Sequence, residues 1–241
     1  MLKLSLLLGT VAALADVAGG LVLVKAEKIQ KYLRYFVALG AGFLMATSVL
    51  EMLPESLKLD PKMAPVLVMF GYCALHFLEH TIVAHFHFGK ETHHHEFVSA
   101  HTSYSVMGGL AVHALFDGVA IGSGFAINSI LGWLIFLAIF LHKAPEGFTM
   151  ASIMLASGRS RRTALLSAVV LAGATLAGVL VIGLAPGMVR FGLPVSAGVA
   201  LYVAATDLVP EVNREPGIRM ALVFFAGVAG FLALRMLIPP L

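Results

Sequence analysis

A chain of 241 residues that is 59% hydrophobic and 12% charged, with a mean hydropathy of +0.94, is excluded from the soluble globular class, where about a quarter of residues carry charge. A net charge of +3 and a pI near 9.1 do not make it a nucleic-acid binder, because the basic residues sit in short clusters between apolar runs and form no basic face. The one cysteine, Cys73, excludes an internal disulfide and, lying inside an apolar run, reads as a buried thiol with no special role.

Lipid offers the backbone no hydrogen-bond partners, so long apolar runs are read as helices. The first run follows Lys3 and contains Ala13-Leu14-Ala15, which mimics a leader cleavage site. Apolar character continues to Val24, and a run of about 21 residues spans a bilayer core, so an uncleaved helix is expected over 4–24. Further helices are expected over 34–53, 64–84, 104–126, 129–155, 163–184, 189–210 and 218–238. No run alternates polar and apolar residues with period two, which argues against a membrane barrel. The expected fold is therefore an all-α membrane protein, eight transmembrane helices in one domain over 1–241. Ten Lys and Arg residues fall in the odd-numbered connections and five on the other side, which places both termini outside by the positive-inside rule.

An internal repeat organises these helices. Ala41-Gly42, followed by Glu51-Met52-Leu53-Pro54-Glu55, recurs 156 residues later as Ala197-Gly198, followed by Asp207-Leu208-Val209-Pro210-Glu211. The two copies lie on helices 2 and 7, which run in opposite directions, and each is the middle member of a group of three. With helices 4 and 5 between the groups, the pattern is a 3+2+3 inverted repeat of the kind found in secondary transporters.

Ionisable groups near the bilayer centre cost about 2.5–3.5 kcal/mol each on insertion scales, so they are functional suspects. Helix 4 reads His113-Ala114-Leu115-Phe116-Asp117-Gly118 and helix 5 reads His142-Lys143-Ala144-Pro145-Glu146-Gly147. In each, a His precedes a carboxylate by four residues, which puts both on one helix face. Two imidazoles and two carboxylates suit Zn²⁺ or another divalent transition ion such as iron, manganese, cobalt or cadmium. Pro145 removes a backbone hydrogen bond to Leu141, kinking helix 5 and freeing a carbonyl beside the site. Lys143 brings a fixed cation next to a metal ligand, where it compensates surplus carboxylate charge or fills the volume of another ion.

Other polar groups trace a route. Glu51 and Glu55 end helix 2 on the outer side, where they attract cations. His76, Glu79 and His80 lie on the inner half of helix 3, and Asp207 and Glu211 end helix 7 inside. The connection over 85–103 carries His85, His87, His93, His94, His95 and His101, a tract that binds metal weakly on the cytoplasmic side.

With these residues assembled, the chain resembles the ZIP (Zrt/Irt-like) family of divalent-metal transporters, in a short, prokaryotic-type form. The likeness is carried by His113-x-x-x-Asp117-Gly118, His142-Lys143-x-Pro145-Glu146-Gly147, Leu53-Pro54-Glu55, the run from Leu201 through Asp207 to Glu211, and the His-bearing connection before helix 4. It implies eight helices in a 3+2+3 arrangement, termini outside, often a homodimer in the cell membrane, and transport toward the cytoplasm. It also implies a primary metal site made of His113, Asp117, His142 and Glu146. Two departures bear on the site. Many relatives carry Asn after the first His and an acid, Asn or Gln after the second, which builds a second, bridged metal position. Here those places hold Ala114 and Lys143, so one metal per protomer is expected. Phe116 stands where some relatives have Pro, so helix 4 is expected to be straighter than helix 5. The rival readings are an intramembrane zinc hydrolase, for which no His-Glu-x-x-His exists, and a metal sensor that binds without flux.

Overall fold

The computed structural model describes residues 2–25, 30–81, 100–214 and 217–237, and within them the chain forms eight helical rods and no strand. Helix α1 is Leu2–Lys25. Helix α2 begins as Gln30–Thr47, passes through the π-helical segment Ser48–Met52 and finishes as Leu53–Leu59. Then come α3 (Ala64–Thr81), α4 (Ala100–Ile127), α5 (Ser129–Ala156) and α6 (Arg161–Leu184). Helix α7 runs as Val189–Tyr202, through the π-helical segment Val203–Leu208, to Val209–Arg214, and α8 is Ile218–Leu237. Seven of these rods are long and apolar enough to cross a membrane, which makes the chain a multi-pass membrane protein. The described part of α3, with His76, Glu79 and His80 in its last turns, is the exception.

Helices α2 and α7 outrun their expected ends at 53 and 210. A proline ring clashes with the carbonyl four residues back and normally stops a helix there. Here the wider π turn immediately before Pro54 and Pro210 takes up the misfit, so both rods continue past their prolines. Pro145 needs no such device; α5 stays α-helical through it.

The packing falls into matched pairs. Helix α1 lies against α5 as α6 lies against α4, α2 against α8 as α7 against α3, and α2 against α5 as α7 against α4. Helices α1 and α6 also touch each other, closing a central four-helix block of α1, α4, α5 and α6. The closest crossings are backbone against backbone. A Cβ at Gly147 would fall 1.9 Å from the carbonyl oxygen of Asp16, and one at Gly118 would fall 1.9 Å from that of Thr175. Only glycine permits helices to approach this closely. The outer pairs are joined the same way, Gly42 against the carbonyl of Phe224 and Gly198 against that of Val68, both members of the second contact standing 156 positions from a member of the first.

One residue, Asn128, separates α4 from α5, and its side chain accepts a hydrogen bond from the Leu131 backbone N–H to cap α5. The two helices therefore form an antiparallel hairpin. His113 lies fifteen residues before Asn128 and His142 fourteen after it. At 1.5 Å of rise per residue, the two imidazoles stand about 21–23 Å from the turn, at one depth. Cys73, expected to be buried, is exposed on the outer surface of α3, because that helix packs on α7 through its opposite side.

Candidate metal centre

His113, Asp117, His142 and Glu146 converge between α4 and α5, and one donor atom from each lies within 4.8 Å of all the others. All four are at most 3% exposed, far below what charged residues tolerate without partners. The i, i+4 spacing brings His113 Nε2 within 3.3 Å of Asp117 Oδ2. Across the hairpin, His142 Nε2 lies 3.4 Å from the same oxygen and His113 Nε2 lies 3.8 Å from Glu146 Oε2. Ligands about 2.0–2.1 Å from a tetrahedral ion are about 3.3 Å apart, so the donor set is close to the spacing that zinc requires.

The orientation of His142 is fixed by its own helix. Its Nδ1–H donates to the carbonyl of Ala138 at 2.9 Å, leaving Nε2 as the free lone pair aimed at the centre. His113 Nδ1 and Glu146 Oε1 are buried and meet no hydrogen-bond partner among the described residues. Buried polar atoms are seldom left so. The rings of His113 and His142 face each other at 5.7 Å between centroids.

Lys143 is fully buried beside this set. Its ammonium donates to Glu146 Oε2 at 2.8 Å and lies 2.9 Å from Asp117 Oδ2. A third carboxylate, Asp16 of α1, is also fully buried and stands 3.6 Å from Lys143 Nζ. Sequence reasoning passed over Asp16. A lone acid in an apolar run carries no spacing signal, and its mid-span position was the one available clue. Ser196 of α7 was missed as well; its hydroxyl donates to the carbonyl of Phe116 at 3.0 Å and ties α7 to α4 one residue from Asp117.

A pocket adjoins the centre. It is lined by His113, His142 and Glu146 of the donor set together with Glu79 of α3, Leu110 of α4, and Val203, Asp207 and Leu208 of α7. Asp207 Oδ1 accepts from the Thr206 hydroxyl at 3.2 Å.

The remaining expected residues stand apart from this set. His76 and His80 stack at 4.1 Å on the exposed side of α3 and do not line the pocket. Glu211 pairs with Arg214 at 3.0 Å. At the other end of the molecule, Glu51 is paired with Arg235 and Glu55 with Lys58. His101 is exposed in the first turn of α4, while His85, His87, His93, His94 and His95 lie outside the described residues.

Comparison with known proteins bears on the same helices. A sequence model of the family described as "ZIP Zinc transporter" matches residues 100–235, from the start of α4 almost to the end of α8. The human zinc transporter ZIP4 is 33% identical over 132 residues, covering 54% of this chain and 20% of that protein. Human zinc transporter ZIP5 is 36% identical over 120 residues, covering 47% and 22% respectively. Zinc transporter ZIP9 of Micropogonias undulatus is 34% identical over 117 residues, covering 44% and 38%. The aligned part of the chain thus spans between about a fifth and two-fifths of these relatives.

Proposed function

The chain belongs to the ZIP zinc transporter family, and from that premise we propose that it carries a divalent transition-metal ion across the membrane toward the cytoplasm, with Zn²⁺ as the first substrate and Fe²⁺, Mn²⁺ and Cd²⁺ as others. The observation that carries this reading is the buried group of four donors, which sits at mid-depth on two adjacent helices instead of at a loop or surface. A static structural site would also be buried, but it would not open into a pocket that reaches two further carboxylates.

The ion binds through His113, Asp117, His142 and Glu146. Lys143 stays in place as a resident cation beside it, already holding Asp117 Oδ2 and Glu146 Oε2, so a second ion finds both charge repulsion and occupied oxygens. One ion binds per protomer. Release follows the pocket past Glu79 and Asp207, with His76, His80, Glu211 and the histidines of 85–103 beyond it on the cytoplasmic side. On the outer approach, an arriving ion competes with Arg235 and Lys58 for the oxygens of Glu51 and Glu55.

The 3+2+3 inverted repeat is supported by the matched helix pairings, by the paired π segments before Pro54 and Pro210, and by the glycine contacts that recur at a spacing of 156. Access alternates by rearrangement of the repeats around the central pair. Both termini lie outside by the distribution of Lys and Arg, and family likeness supports a homodimer in the cell membrane. An intramembrane hydrolase is disfavoured because the position beside the donor set holds the ammonium of Lys143, a poor base while charged.

Reconstitution in liposomes with an encapsulated zinc- and cadmium-sensitive dye tests the reading. Wild-type protein gives ion influx that His142→Ala and Glu146→Ala each reduce at least tenfold while remaining folded. Stoichiometric binding without wild-type flux would turn the assignment to a sensor.

A further inference from the structure

The mechanism so far leaves Asp16 without a task, although it is the most fully enclosed acid in the described molecule. It is fully buried, mid-span in α1, and neither oxygen accepts a hydrogen bond from any described residue. An unassisted carboxylate in that position costs several kcal/mol, so an ionised Asp16 requires a cation. The nearest is Lys143 at 3.6 Å, and Lys143 is held more tightly by Asp117 and Glu146 at 2.9 and 2.8 Å.

The backbone shows how a short side chain reaches so far into the centre. Gly147 sits against the carbonyl of Asp16 itself, and Gly19, one turn on, sits against the carbonyl of Ala144. These two contacts, at Asp16 and three residues beyond it, clamp α1 onto α5 and place the Asp16 carboxylate beside Lys143. On the opposite side of the molecule, α6 meets α4 through the same kind of crossing, Gly118 against Thr175 and Gly178 against Leu115. There the place of Asp16 is taken by Thr175, whose hydroxyl turns back to Leu171, and the place of Lys143 by Ala114. Acid and base are present together on one side and absent together on the other.

Resting on the reading of the centre as the ion's binding site, we propose that Asp16 is a positioning residue that sets the charge of the site for a divalent cation. With neutral imidazoles, Asp117, Glu146 and Lys143 alone leave one net negative charge. Asp16, when ionised against the Lys143 ammonium, makes it two, and a divalent ion then brings the enclosed group to neutrality in a medium of low dielectric constant. Asp16 also gives Lys143 a partner to turn to as the incoming ion draws on the oxygens of Asp117 and Glu146. The ammonium thereby remains beside the metal without taking the metal's ligands.

Zn²⁺ binding to the purified full-length protein, measured by titration calorimetry in lipid nanodiscs, tests this. Asp16→Asn leaves Lys143 paired to Asp117 and Glu146, so the protein folds, and its zinc affinity falls at least tenfold. Asp16→Asn combined with Lys143→Gln restores two net negative charges and returns affinity to within about threefold of wild type. Unchanged affinity in Asp16→Asn overturns the proposal, and so does a double variant that binds as poorly as the single one. Should Asp16→Asn not fold, the double variant is compared with Lys143→Gln alone: zinc binding at least tenfold weaker in the double variant supports the proposal, and equal binding overturns it. His142→Ala separates the two levels of inference. If it binds zinc like wild type, the central-site reading fails; if it loses binding while Asp16→Asn does not, only the role of Asp16 fails.

Discussion

Two oxygens, Asp117 Oδ2 and Glu146 Oε2, each lie within 3 Å of the same ammonium while facing imidazole nitrogens on the other side. Lys143 therefore occupies the carboxylate pair that the proposed ion would use, and residue 143 is the place to test how many ions fit. Replacing Lys143→Glu removes the resident cation and adds a ligand, and it raises bound zinc from one to two per protomer, read by metal analysis of the dialysed protein. A stoichiometry that stays at one would mean that volume, not charge, limits occupancy. At this scale the sequence was legible wherever spacing carried the message. A His followed four residues on by an acid must share a helix face, and two such pairs on consecutive helices announce the centre. Asp16 was illegible because its meaning depends on a partner more than a hundred positions away. The entrance carboxylates show the converse: Glu51 and Glu55 are visible in the sequence, but their pairing with Arg235 and Lys58 is not.

Prolines and glycines carry the information at the level of the helix. Pro54 and Pro210 read as stops because a proline ring clashes with the turn before it; the π segments that accommodate them are an answer found only in the folded chain. The far ends of α2 and α7 were misjudged by a few residues for that reason, and the starts of α2 and α4 were set four residues late, whereas the number of rods and their order were plain from the apolar runs. Glycines show a sharper contrast. Gly147 faces the carbonyl of Asp16, and an added methyl there has nowhere to go, while Gly173 on α6 is exposed with nothing within 4 Å of its missing Cβ. Gly147→Ala should cost about 1–3 kcal/mol or more and lower the melting temperature of the detergent-solubilised protein. Gly173→Ala should be neutral or stabilising by up to about 1 kcal/mol through helix propensity. Equal shifts for the two variants would show that the α1–α5 crossing relaxes freely.

For the molecule as a whole, the placement of the termini rests on loop charge and is open to direct labelling. In a Cys73→Ser background, Lys62→Cys lies in the exposed turn between α2 and α3, and Arg161→Cys in the exposed first turn of α6. A membrane-impermeant maleimide applied to intact cells labels the first, and reaches the second only after permeabilisation; the reverse pattern would invert the molecule. The eightfold helical plan was legible because bilayer thickness sets the length of each run, and the repeated motifs, which keep their spacing, are what propose a pairing of its halves. Which helices touch was not, since almost any apolar face satisfies lipid. The glycine contacts have a mechanical consequence. Where two backbones meet with no side chain between them, there is nothing to repack, and the helices shift as one welded piece. The welds join α1 to α5 and α4 to α6, and separately α2 to α8 and α3 to α7. Between these two groups lie the contacts of α2 on α5 and of α7 on α4, the second bridged by the Ser196 hydroxyl on the carbonyl of Phe116. The pocket beside the donors is lined from both sides of the second of these contacts, so the boundary between the two welded groups is also where the donors meet a cavity, between α4 and α7.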